Sequence, residues 1–143
     1  MYKTLHKKQG SVTVQLRFAR SSVTFCAKRD RHKGVDVYDI EDDACEVVFT
    51  NPPYNLMTKG NMLAEFQRIA TNKVILLLNI FYLSSKERKQ MLENSHLRHV
   101  YIHSDRVTMF PYGQEKPKNG GTKMYAWFVW DKDYRGKPTI SWI

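Results

Sequence analysis

The run KVILLLNI, residues 73 to 80, narrows the possible folds more than any other part of the chain. It is apolar without a break and too short for a long helix. It also lacks the alternation of a half-buried strand, so it reads as a strand covered on both faces. Just before it, Met62, Leu63, Phe66, Ile69 and Ala70 recur at helical spacing. Earlier still, CEVVFT (45–50) reads as a buried strand ending at Asn51. After the run, Ser84-x-x-Glu87 has the form of a capping box and predicts a helix to about Asn94. LRHVYIHS (97–104) then reads as another strand. Strand, helix, strand, helix, strand with short connections predicts right-handed βαβ units and a parallel sheet. The last long strand, KMYAWFVWD (123–131), follows the loop PYGQEKPKNGGT without a helix, so it is expected to pair antiparallel at or near an edge.

The first third of the chain has a different character. Val12, Val14, Leu16 and Phe18 alternate with Thr13, Gln15 and Arg17, and a second β-branched run, VTFC, follows Arg20-Ser21-Ser22. This predicts a β-hairpin. KRDRHKG then reads as a loop, VDVYDI as a short strand or extended segment, and EDDA as an acidic turn. Net charge is +9, but residues 1–34 hold nine Lys or Arg against one acid, a local charge of +8. Segregation of this kind points to a polyanion, with nucleic acid the leading partner, because each cation near a phosphate releases counterions. Arg17, Arg20, Lys28, Arg29, Arg31 and Lys33 are the candidate phosphate contacts.

At 143 residues the chain is expected to form one domain, with a basic hairpin or arm at 1–34 and an α/β core at 35–143. Cys26 and Cys45 lie in apolar strands without metal-ligand spacing and read as buried free thiols of a reducing compartment. The basic start and the shortness of every apolar run predict a soluble, cytoplasmic protein with no membrane contact. The histidines have no zinc-site spacing, so no metal is expected. Trp127 and Trp130 read as core and edge packing.

Asn51-Pro52-Pro53-Tyr54 stands at the carboxyl end of a predicted inner strand, where α/β sheets bind ligands. The prolines alone would make a stiff strand exit. The four residues together suit a planar exocyclic amine. An asparagine oxygen and a backbone carbonyl accept its two N–H groups and draw its lone pair out of the ring. The prolines fix the carbonyl direction, and an aromatic ring stacks on a base extruded from its helix.

VVFTNPPYN, followed by a helix and KVILLLN, resembles the N6-adenine DNA methyltransferases with an Asn-Pro-Pro-Tyr motif. LRHVYIHSDRVTMFPYG and GTKMYAWFVWDKDYRGKPTISWI are similar to the last strands of bacterial and phage members, so the resemblance covers about residues 36–143. It implies a shortened Rossmann-like methyltransferase sheet, mostly parallel with an antiparallel last strand, preceded by the basic hairpin. It further implies methyl transfer from S-adenosylmethionine to the adenine amine in DNA, in a phage or restriction-modification setting. Asn51 and the Pro52 carbonyl would hold the amine, with Pro53 stiffening the turn. Tyr54 would stack on the base, and Phe110, or else Tyr112, would close its other face. Asp39 and Asn51 would meet the cofactor. Such enzymes bind the donor through an N-terminal strand and a glycine-rich turn, yet none of the seven glycines here forms G-x-G. Three alternatives follow: a catalytically inactive nucleic-acid-binding relative, an anti-restriction protein, or a chain whose homodimer or partner subunit completes the cofactor site.

Overall fold

The computed structural model describes residues 12–18, 21–27, 37–59, 61–105, 107–108 and 123–143. Two strands, β1 (Val12–Phe18) and β2 (Ser21–Ala27), form an antiparallel hairpin with Val12 opposite Ala27 and Phe18 opposite Ser21. A 3-10 turn (Val37–Asp39) leads to β3 (Cys45–Thr50). Helices α1 (Tyr54–Lys59) and α2 (Met62–Ile69) carry the chain back to β4 (Ala70–Asn79). A second 3-10 turn (Ile80–Leu83), α3 (Lys86–Asn94) and β5 (Leu97–Ile102) follow, and β6 (Tyr125–Asp131) and β7 (Thr139–Trp142) complete the order.

All seven described strands join one sheet in the order β1-β2-β3-β4-β6-β5-β7. The fold is α/β with a mixed sheet. β3 pairs parallel with β4, and β5 with β7. β6 runs against both of its neighbours, β4 and β5. In the part built by β3 to β7, four strands therefore run one way and β6 alone opposes them. The hairpin continues this sheet, because β2 pairs antiparallel with β3 through Phe25–Val48 and Cys26–Val47.

Several expectations change. β6 is antiparallel as expected, but it is neither last nor at the edge. It lies between β4 and β5, and β7 forms the edge beyond β5. Tyr125, Ala126, Phe128, Trp130 and Asp131 of β6 are all buried, and a strand this apolar is better satisfied between two neighbours than at a rim. VDVYDI gives a 3-10 turn instead of an extended segment. Arg68 favours that compact form by donating to the Val37 and Ile40 carbonyls and pairing with Asp42. The capping box does not form. The N-cap of α3 is Ser85, without a side-chain cap bond, and its carbonyl accepts from Lys89 N. Arg88 instead gathers the Phe81, Tyr82 and Ser84 carbonyls.

The described helices pack on one face. Val48, Val74, Leu76, Leu78, Phe128 and Trp130 share a single core with Phe66 of α2 and Leu92 of α3. Trp130 Nε1 donates to Ser95 Oγ at 2.9 Å, so its one polar atom is satisfied within that core. Cys45 is buried and its Sγ lies 3.5 Å from the Ile69 carbonyl, while the side chain of Cys26 lies outside the described residues. No described helix is long and apolar enough to cross a membrane.

On the opposite face, Leu77 is 7 % exposed although it is not part of that core. Among the described residues, its register partner Trp127 of β6 and Phe49 of β3 lie on that side, their rings stacked 4.6 Å apart and 20° from parallel. β4 lies between those two strands, so the rings meet above it. Among the described residues the apolar run therefore has two kinds of cover: a helical layer on one side and a pair of stacked aromatic rings on the other.

Leu76 is fully buried on the helical side. Leu76→Ala is expected to lower stability by about 2–5 kcal/mol. Urea titration checks this through a reduced midpoint at an unchanged denaturant slope.

Candidate functional site

The carboxyl ends of β3 and β4 and the amino end of β6 share one edge of the sheet. Asn51-Pro52-Pro53 leaves β3 at that edge, and Tyr54 opens α1. Pro53 stands just before the helix, and its carbonyl accepts from Met57 N at 3.4 Å. The Pro52 carbonyl, the one the sequence pattern assigns to the amine, thus lies ahead of the helix rather than within it. Pro52 is buried and anchors the turn, while Asn51 is exposed.

The Tyr54 hydroxyl donates to Asn51 Oδ1 at 2.7 Å. A carboxamide oxygen has two lone pairs, so this bond orients the Asn51 acceptor and leaves capacity for an incoming N–H. The Tyr54 ring is half-buried, packs against the core, and lies 6.0 Å from the Tyr125 ring at a tilt of 32°. Burial raises the pKa of the Tyr54 hydroxyl above the ordinary tyrosine range, and the hydrogen-bonded Tyr125 phenol raises it further. The hydroxyl therefore stays protonated and remains a donor to Asn51. Holding the asparagine in this way is a role that the stacking expectation for Tyr54 did not include. The i, i+3 spacing carries its only sequence signal.

Directly beneath Asn51, the hydroxyl of Thr50 is buried and has no hydrogen-bond partner among the described residues. Such a group costs about 1–3 kcal/mol. Thr50 was not singled out by the sequence, because a threonine at the end of a β-branched strand is ordinary there.

Asp39 is exposed on the first 3-10 turn. Arg68, at the C-terminal turn of α2, ties that segment near the start of β4, and the structure does not bring Asp39 to Asn51. Arg20, Lys28, Arg29, Arg31, Lys33, Phe110 and Tyr112 lie outside the described residues, as does the side chain of Arg17 on β1. A concavity of about 390 Å3 is lined by Asp43, Ala44, Cys45, Glu46, Thr71 and Asn72. It sits at the opposite end of β3 and β4, and its position argues against a role in the chemistry of Asn51.

The described residues do not make a cradle for S-adenosylmethionine. No glycine-lined turn approaches Asn51 among them, and the flank of β3 away from β4 is taken by the antiparallel strand of a hairpin. Comparison with models of known protein families and with curated proteins finds no match for this chain.

Thr50→Val removes the orphaned hydroxyl at nearly constant shape and is expected to raise stability by about 1 kcal/mol, read as a higher urea midpoint. The raised Tyr54 pKa also fixes a sign. The native state keeps a proton that the unfolded chain releases above about pH 10, so stability falls as pH rises past that point. Tyr54→Phe is expected to flatten that alkaline fall, measured as unfolding free energy between about pH 9 and 11.

Proposed function

We propose that this chain is the adenine-holding part of an S-adenosylmethionine-dependent N6-adenine DNA methyltransferase. One observation carries the reading: an asparagine acceptor at the carboxyl end of an inner strand, oriented by the Tyr54 hydroxyl at 2.7 Å. Asn51 Oδ1 and the Pro52 carbonyl accept the two amine hydrogens and localise the nitrogen lone pair. The Pro52–Pro53 turn prevents the acceptors from swinging away, so little order is lost when the base arrives. The neutral Tyr54 hydroxyl avoids setting a negative charge beside an amine that must itself stay electron-rich. The donor would supply an activated methyl group when bound. The protein acts in the cytoplasm on DNA, with the basic segment 1–34 meeting the phosphates.

A second reading is favoured by the hairpin on the flank of β3. The same amine-holding edge then serves a nucleic-acid-binding protein that performs no transfer. Calorimetry of the full chain with S-adenosylmethionine separates the two. Micromolar binding supports the enzyme, whereas no binding supports either the second reading or a partner that brings the donor.

The acceptor geometry itself is tested with two oligonucleotides that differ at one base, adenine or purine, the latter lacking the amine. The adenine strand is expected to bind about 5- to 10-fold more tightly, the worth of one or two net hydrogen bonds. Asn51→Ala is expected to erase that preference. Equal affinities for the two strands with the unaltered protein would sink the assignment.

A further inference from the structure

The sheet face away from the helices carries residues that the adenine site does not use. Phe49 projects from this face next to the end of β3, one residue before the strand stops and two before Asn51 in the chain. Phe49 is 43 % exposed even though it stacks on Trp127, and Trp127 is only partly buried. Tyr101 of β5 is paired directly opposite Trp127 and is 37 % exposed. The His99 ring lies 4.0 Å from that of Tyr101. A row of rings thus crosses the sheet from β3 to β5.

Next to the rings the accessible charges are cations. Lys73 projects from β4 and stays about one-third exposed. Its register partner Asp131 is buried and paired with Arg98 at 2.7 Å and with Lys73 at 3.5 Å. Beside the ring row an approaching anion therefore meets Lys73 and Arg98, whose carboxylate partner is buried, while the exposed Glu46 lies toward the start of β3, away from Asn51. Beyond β3, the sheet continues into the hairpin of the segment that carries +8.

We infer that this face is a binding track for single-stranded nucleic acid. Bases next to the target stack on the Phe49–Trp127 pair and on Tyr101, while the backbone runs toward the basic hairpin. Two rings stacked on each other still have an outer face each, and every base has a π-face, so the track is tolerant of sequence. Exposed rings on an open sheet with a cationic border suit unpaired strands better than a duplex, whose bases are already stacked. The inference rests on the reading of Asn51–Tyr54 as an adenine site, because the track leads to it. It adds that the substrate arrives single-stranded or opened.

The test uses oligo(dT), which has no adenine amine, so its binding does not draw on Asn51 and can succeed or fail independently of the adenine–purine comparison. The full chain is expected to bind a single-stranded oligo(dT) of about 12 nucleotides, quench its tryptophan emission, and bind the matched dA·dT duplex less tightly. Tyr101→Ala and Phe49→Leu are each expected to weaken oligo(dT) binding roughly 5- to 100-fold, the worth of a lost base–aromatic stack. Phe49→Leu keeps an apolar cover over Leu77, and an unchanged far-ultraviolet circular dichroism spectrum verifies that both variants are folded. Equal affinity for duplex and single strand, with neither variant changing it, would overturn the track. A stable dimer in light scattering that Phe49→Lys converts to monomer would also overturn it, by assigning the face to a second copy of the chain.

Discussion

The parallel pairing of β3 with β4 is the constraint on which the other features depend. Two neighbouring strands that run the same way cannot be joined by a tight turn, so the chain must cross over the sheet between them. That crossover is α1 and α2, and it places the core on one face. It also makes residues 51–54 the point where an inner strand stops and a helix begins. Their backbone groups are there released from the ladder and available to a ligand. Had the pair been antiparallel, Asn51 would stand in a hairpin loop, without the Pro53–Met57 helical start that holds Tyr54 over it.

Much of this architecture is written in periodicity. The buried strand at 45–50, the helix over 62–69, the inner strand and the hairpin at 12–27 all follow from spacing alone. What the pattern could not convey was adjacency. The apolar run of β6 states that the strand is enclosed, but not between which neighbours, because burial is a property of one segment and strand order a property of several. The segment at 37–39 and the start of α3 depart from their local sequence pattern for a related reason. Each is bound by an arginine, Arg68 at the far end of α2 and Arg88 in the first turn of α3, whose guanidinium groups gather carbonyls of a preceding 3-10 turn. A long cation satisfying several carbonyls leaves no mark on local propensity.

The candidate site was legible in a similar, partial way. The residue types of Asn51 to Tyr54 state the chemistry of an amine acceptor. The hydrogen bond that aims the acceptor depends on the helical turn after Pro53, which two consecutive prolines do not by themselves announce. Asp39 shows how little of a site a single acid conveys: the sequence offers the residue, while the 3-10 turn that carries it is fixed by Arg68 of α2. The hairpin on the flank of β3 was visible as a hairpin, while its attachment there is a tertiary fact that bears directly on where a methyl donor could sit.

The ring pair over β4 also makes the molecule an optical instrument. Phe49 is two residues from Asn51, and its partner in the stack is one of only three tryptophans. The other two sit in unlike surroundings: Trp130 is sealed in the core and Trp142 is 70 % exposed. A displacement of the strand end that carries Asn51 tilts the Phe49 ring against Trp127 and alters the emission of that indole first. Events at the carboxyl edge of the sheet thereby become visible as light, without any label attached to the chain.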